Sequence, residues 1–168
     1  NLERSKLVAF GSTRRVNGDA AQDATLANLL AAETEVVCIV GKASAYHVTE
    51  ALRTSLDEGV AMVADSIRYL KSRGRTVFFD AEHFFDGYRD DPDFSLRVLQ
   101  GAAEAGADCL VLCDTNGGSL PGQVQEMVAV VVAAVDCEVG VHLHNDTGCG
   151  VANALAGVAG GDTQVQGT

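Results

Sequence analysis

The stretch CEVGVHLHND, residues 137–146, joins a short apolar run to a cluster of polar side chains. Its valines and leucine favour a β-strand, and the polar residues follow where that strand would end. Similar runs recur along the chain, and each is nearly continuous, which is typical of parallel strands covered on both faces. They occupy residues 6–10, 35–40, 75–80, 108–113, 137–144 and 163–166.

Segments with helical spacing separate these runs. Apolar residues step by three or four along residues 48–70, with Gly59 as a candidate break between two helices. Further helices are predicted from Asp91, from Pro121 and over residues 150–159. The alternation predicts an α/β fold with parallel strands and right-handed crossovers. It leaves open whether the sheet is an open doubly wound sheet or a closed barrel.

The composition narrows the class of partner. The 168 residues carry 23 acidic and 12 basic side chains, a formal charge of −11. That balance argues against nucleic acid and anionic membrane surfaces as partners. No apolar run reaches the roughly 18 residues of a spanning helix, and no secretory leader pattern opens the sequence. The five cysteines form no C-x-x-C, so we expect reduced thiols in a cytoplasmic protein.

Unusual polar residues gather directly after the predicted strands. In parallel α/β folds the carboxyl ends of the strands share one face, and ligands bind there. The sequence therefore predicts a functional site on that face. The polar segments are GSTRR at 11–15, DAEHFFDGY at 80–88, DTNGG at 114–118, HLHND at 142–146 and the sixth strand end at 166–168.

His142 and His144 carry the sharpest chemical signal. Residues two apart on a strand point to the same side, so two imidazoles can face one divalent metal ion. The alternative is a pair of strand-end histidines hydrogen-bonded to neighbours or solvent. Two imidazoles do not complete a coordination shell, and Glu82, Asp114 and Asp146 are the oxygen-ligand candidates in this sequence.

Other polar residues keep two interpretations each. Glu82 and Asp80 are close enough in sequence to raise one another's pKa and to supply a general acid or base, although Glu82 also suits a loop cap or an ion pair. Thr115 suits a hydrogen bond to a substrate carboxylate or a turn. Arg14 and Arg15 suit an anion site or a solvated surface.

Taken together, seven segments in order resemble the citramalate synthases, close to the branch that contains the 2-isopropylmalate and homocitrate synthases. That branch lies in a superfamily of metal-dependent (β/α)8 (TIM) barrels that also contains hydroxymethylglutaryl-CoA lyase. The segments are GSTRR (11–15), VTEALRTSLDE (48–58), DAEHFFDGY (80–88), LVLCDTNGG (110–118), HLHNDTG (142–148), VANALAGV (151–158) and TQVQGT (163–168).

The resemblance implies roles for individual residues. His142 and His144 would be paired metal ligands after the seventh barrel strand. Glu82, after the fifth strand, would organise proton transfer near the substrate, and Thr115, after the sixth, would hydrogen-bond the carboxylate of a 2-oxo acid.

The resemblance also implies the reaction and its participants. Asn145 and Asp146 would support the two metal-binding histidines without binding the metal themselves. The reaction would be a Claisen condensation of acetyl-CoA with pyruvate on a divalent metal ion, in a homodimer, on the way to isoleucine. Sister enzymes that use other 2-oxo acids, and a lyase that runs the cleavage direction, are the nearest alternatives. A non-catalytic flavodoxin-like module is the alternative from another class.

The alignment implied by these segments makes the six strands barrel strands three to eight. We therefore expect residues 1–168 to form a single, partial TIM barrel domain without the first two βα units. In the family, the first strand carries an Asp metal ligand and an oxyanion-stabilising Arg, and an Asn ligand follows the eighth strand. We expect the isolated segment to be inactive and prone to associate through its unpaired strand edges.

Overall fold

A computed structural model describes residues 4–167, so Thr168 of the predicted polar end of the sixth strand lies outside the described residues. Six parallel strands form one sheet, and helical structure lies between each strand and the next one along the chain. The strands are β1 (Val8–Ser12), β2 (Val36–Lys42), β3 (Thr76–Glu82), β4 (Cys109–Asp114), β5 (Glu138–Leu143) and β6 (Gln164–Gln166). The α-helices are α1 (Ala24–Ala31), α2 (Leu56–Ser72), α3 (Phe84–Asp90), α4 (Pro92–Glu104), α5 (Pro121–Ala134) and α6 (Gly150–Gly160).

The strand order separates the two α/β architectures that the sequence left open. Every strand pairs in parallel with the next one along the chain, in the order β1-β2-β3-β4-β5-β6. A doubly wound sheet reverses its order at a switch point, whereas a (β/α)8 barrel adds each strand on the same side. The sheet is therefore an arc of a barrel, as expected, and the flavodoxin-like alternative does not fit.

A contact across the sheet shows how strongly the arc curves. Nε2 of Gln166 on β6 lies 2.9 Å from Oδ1 of Asp80 on β3. Three strand spacings separate β6 from β3, which is about 14 Å along a flat sheet. The side chains meet only because the sheet curls and both point to its concave face.

Alternate residues of each strand face opposite sides of this arc. Val37, Ile39, Phe79, Leu110 and Val141 face the helices and belong to one buried apolar core. Their neighbours in sequence face the concave side, where Cys38, Cys109 and Val111 are also buried. All five cysteines are free thiols, as predicted.

The helical segment predicted over residues 48–70 divides, but not at Gly59. A π-helical turn covers His47–Ala51, and α2 begins at Leu56 after Ser55, whose hydroxyl accepts a hydrogen bond from the backbone N–H of Glu58. Gly59 lies in the first turn of α2, where a Cβ would come within 3.0 Å of Val48. Its role is therefore close packing, and the capping residue sets the break.

Helices α1 and α3 were not predicted. Helix α1 buries only Leu26 and Leu29, and its N-cap is Asp23, whose carboxylate accepts from Thr25 N and Leu26 N. Helix α3 follows His83, which has a left-handed backbone (φ 59°). Both helices are short, so the apolar periodicity that marks longer helices is weak in them. None of the helices within residues 4–167 is long and apolar enough to cross a membrane.

Candidate active site

The predicted site residues lie at one end of the arc. Glu82 ends β3, Thr115 follows β4, His142 lies near the end of β5, and His144 follows one residue after β5. All are at the carboxyl ends of parallel strands, as the sequence predicted. This end is also the ligand-binding face of (β/α)8 barrels.

The imidazoles of His142 and His144 lie on the same side of the chain. Their ring centroids are 5.2 Å apart and their planes differ by 28°. Nδ1 of His142 is 2.8 Å from Oε1 of Gln166, which leaves Nε2 free for another partner. The pair therefore suits two adjacent positions in the coordination shell of a divalent metal ion.

The oxygen-ligand candidates do not join these imidazoles. Within residues 4–167 no group of three His, Cys, Asp or Glu side chains is arranged to hold a metal ion. Oδ2 of Asp114 accepts from Ser119 N at 3.0 Å, and β5 ends at Leu143, so the strand does not carry Asp146 onto the histidine face. His142 and His144 can therefore supply two ligands, and a complete coordination shell needs further ones.

Glu82 is paired with a lysine. Its carboxylate contacts the ammonium of Lys42, and both side chains are about a quarter exposed. The strand register places the two residues opposite each other at the ends of β2 and β3. The pair borders an open cleft of about 540 Å³ that Ser12 and Arg15 also line. The sequence did not identify Lys42 as the partner of Glu82, because the two residues are 40 positions apart in the chain.

Asp80 is buried on the concave face, at 4% exposure. Burial raises its pKa above the ordinary value for Asp, and hydrogen bonds from Cys38 and Gln166 oppose that rise. Glu82 is not among the causes of this rise, so the prediction that Glu82 raises the pKa of Asp80 is wrong. The two side chains lie two residues apart on β3, but each is engaged by its own partner.

Thr115 keeps a hydrogen-bond donor free. Its Oγ1 accepts from the backbone N–H of His83 at 2.8 Å. Because a backbone N–H can only donate, the hydroxyl proton of Thr115 is available for a third group. His83 in turn stacks on His47, with ring centroids 3.7 Å apart, which steadies the loop after β3.

Asn145 and Asp146 organise the loop after β5. Oδ1 of Asn145 accepts from Gly150 N at 2.8 Å, at the start of α6. Asp146 packs against Gly117, whose backbone has φ 60° and where a Cβ would collide with Asp146. The described hydrogen bonds of Asn145 stay within its own loop, and none of them reaches the imidazoles. Thr147 joins the two loops, because its backbone N–H and its hydroxyl both donate to the carbonyl oxygen of Gly117. The loops after β4 and β5 are therefore locked together.

Arg14 takes neither of its predicted roles. Its guanidinium is 4% exposed and lies 2.7 Å from Glu58 and 2.8 Å from Asp65 on α2. The hydrogen bond from Arg14 holds the pKa of Glu58 below its ordinary value. Arg14 thus fastens the loop after β1 to α2, whereas Arg15 remains exposed at the cleft.

The strand order and the polar residues at the carboxyl ends of the strands define a domain of the (β/α)8-barrel class, and comparison with known proteins identifies its family. The model of the HMGL-like family matches residues 2–168, so the chain belongs to the HMGL-like family. Among solved structures, the HMG-CoA lyase of Bacillus subtilis superposes with a TM-score of 0.81 at 19% identity, over 99% of this chain and 54% of that one. At that identity the similarity shows the fold.

Comparison with curated proteins shows which members of the family are most similar in sequence among those compared. The (R)-citramalate synthase of Streptomyces coelicolor is 52% identical over 99% of this chain and 31% of its own length. Four further (R)-citramalate synthases are 44–48% identical over 99–100% of the chain. The homocitrate synthase of Saccharolobus solfataricus is 38% identical over 83% of the chain and 30% of its own length. The chain spans about a third of the length of the curated relatives it matches.

Proposed function

We propose that this chain supplies barrel strands three to eight of a citramalate synthase, which condenses acetyl-CoA with pyruvate. The proposal is supported by the difference in sequence identity between two groups of relatives. Citramalate synthases match at 44–52% over the whole chain, whereas homocitrate and 2-isopropylmalate synthases match at 37–38% over about four fifths of it. The retained His142–His144 pair supports the same reaction class.

A divalent metal ion held by His142 and His144 would polarise the keto group of the 2-oxo acid. Its remaining ligands would come from outside the described residues. Thr115 would donate its free hydroxyl proton to the carboxylate of pyruvate, which fixes the orientation of the acid. The identity of the metal does not affect these residue roles.

Glu82 and Lys42 would take part in the removal of a methyl proton from acetyl-CoA. A base would remove a methyl proton from acetyl-CoA, and the resulting enolate carbon would form a bond to the keto carbon of pyruvate. The electron pair of the C=O bond moves to oxygen, which then gains a proton. Water next cleaves the C–S bond and releases CoA thiol and citramalate. Glu82 would organise this first proton transfer, and the ammonium of Lys42 would influence the charge of its carboxylate.

The test uses the full-length protein that carries these residues, with CoA thiol release measured for pyruvate, 2-oxoisovalerate and 2-oxoglutarate. We expect pyruvate to give the highest kcat/KM, and His142→Ala and His144→Ala each to abolish metal-dependent turnover. His47→Phe, which keeps a ring stacked on His83, controls for the loss of an imidazole elsewhere. Undiminished activity in both alanine variants would contradict the metal assignment, and a preference for another acid would favour a sister synthase.

The family resemblance also supports a cytoplasmic homodimer for the full-length protein. Size-exclusion chromatography with light scattering measures its mass directly. A monomer at working concentration would contradict this part of the proposal.

A further inference from the structure

Four side chains on the concave face form one connected hydrogen-bond network. Cys38 Sγ donates to Asp80 Oδ1 at 3.1 Å, and Gln166 Nε2 donates to the same oxygen at 2.9 Å. Gln166 Oε1 lies 2.8 Å from His142 Nδ1. The network joins β2, β3, β6 and β5, and it ends on one of the two proposed metal ligands.

The direction of every bond in this network follows from Asp80. The Oδ1 atom of Asp80 can only accept, so Gln166 must turn its NH₂ group towards Asp80. The carbonyl oxygen of Gln166 then faces His142 and can also only accept. The bond between Gln166 and His142 therefore requires a hydrogen on Nδ1 of His142.

Strand pairing holds these partners in place. Gln166 is the register partner of His142 on the neighbouring strand, so their side chains lie side by side without a flexible loop between them. Asp80 is 4% exposed and lies on the third strand away. A buried acceptor that is fixed by the backbone keeps its donor in one orientation.

We propose that Asp80 and Gln166 are positioning residues that fix the tautomer of His142, with hydrogen on Nδ1 and the lone pair on Nε2. This inference rests on the proposed function, because it takes His142 as a metal ligand. A neutral imidazole binds a metal through the nitrogen that lacks hydrogen, and a carboxyl-linked partner on the other nitrogen commonly fixes ring orientation. Asp80 acts on the metal ligand through Gln166 without contacting substrate.

The test reads the tautomer directly, without activity. Full-length, metal-free protein is labelled with ¹⁵N-histidine, and long-range ¹H–¹⁵N spectra are recorded at about pH 8, where ordinary imidazoles are neutral. His142 is assigned by difference from His142→Ala. We expect the Nδ1–H form in the wild type, and an Nε2–H form would overturn the inference without any variant.

Four variants separate positioning from general packing. Asp80→Leu removes the acceptor and Gln166→Leu removes the link, so both should lose the single Nδ1–H tautomer. Asp80→Asn keeps an amide oxygen that can accept from Gln166, so it should retain that tautomer. Gln164→Leu makes the same change two residues earlier on β6, in a side chain with no described bond to His142, and it should match the wild type.

Metal affinity provides the second readout, with Mn²⁺ as the probe and free Mn²⁺ measured by electron paramagnetic resonance. We expect Asp80→Leu and Gln166→Leu to weaken Mn²⁺ binding by about 10–100-fold, the usual effect of removing a residue that orients a metal ligand, and Asp80→Asn to restore most of it. Unchanged tautomer and affinity in both leucine variants would overturn the inference. A wild-type protein that binds no Mn²⁺ at His142 would instead refute the proposed metal site, whatever its tautomer.

Discussion

Two charged clusters follow neighbouring strands, and they differ in how completely they are satisfied. Arg14, after β1, donates to Glu58, Asp65 and a backbone carbonyl, and is almost wholly buried. The Lys42–Glu82 pair at the ends of β2 and β3 has one contact and borders an open cleft. A saturated cluster holds loops together, whereas a partly exposed pair keeps capacity for a ligand. We therefore expect the Arg14 cluster to have a structural role and the Lys42–Glu82 pair to have a functional one.

We expect the largest effect from a substitution that breaks the Lys42–Glu82 ion pair. Glu82→Gln keeps the shape of the side chain and removes its charge, so we expect kcat of the full-length enzyme to fall by about 10²–10⁴-fold, the usual range for a general acid–base group. The melting temperature should stay close to that of the wild type. Glu58→Gln, in the cluster around Arg14, is the matched control. It should lower the melting temperature and leave most of kcat, and a reversal of these two patterns would contradict the comparison.

We expect the second largest effect from a substitution that breaks the cluster of Arg14 with Glu58 and Asp65. Arg14→Met keeps an aliphatic stem but removes the hydrogen bonds to Glu58 and Asp65, so we expect a loss of about 2 kcal/mol in the free energy of unfolding, the usual range for hydrogen bonds to charged groups. Urea unfolding at neutral pH measures it. A change within about 0.5 kcal/mol, the usual range for a surface substitution, would show that Arg14 is not structural.

The pH dependence sharpens the same prediction. The pKa of folded Glu58 is depressed by Arg14, so its contribution to stability is present above its unfolded pKa, about 4.3, and is lost as the pH falls through the folded value. The difference between wild type and Arg14→Met should therefore shrink as unfolding is measured at successively lower pH below that value. A difference that grows on acidification would contradict the assignment.

We expect the smallest effect at Asn145, which lies in the loop after β5 and accepts a hydrogen bond from the backbone N–H of Gly150. Asn145→Ala should cost about 1 kcal/mol, as loss of a helix cap does, and leave Mn²⁺ affinity unchanged. A clear loss of affinity would show that Asn145 supports the metal histidines, as the family resemblance implies. Asn145→Asp, which keeps the accepting oxygen, is the control and should retain wild-type stability.

The strands and the histidine pair were predictable because both depend on local spacing. Buried parallel strands are nearly continuous apolar runs, and His142 and His144 share a side through the two-residue period of a strand. Arg14 was not predictable, because its partners lie more than 40 residues away on α2. The link from Asp80 to His142 was not predictable either, since it exists only once the sheet has curled and brought β6 to β3.

The Gln166–Asp80 contact has a consequence for how a substrate reaches the histidines. It spans the concave side of the arc, and Cys38, Cys109 and Val111 beneath it are almost inaccessible to solvent. These side chains therefore form a closed layer on the concave side of the arc, beneath the residues at the carboxyl ends of the strands. If His142 binds a ligand, as proposed, that ligand would approach from the carboxyl ends of the strands, past the loops that follow them.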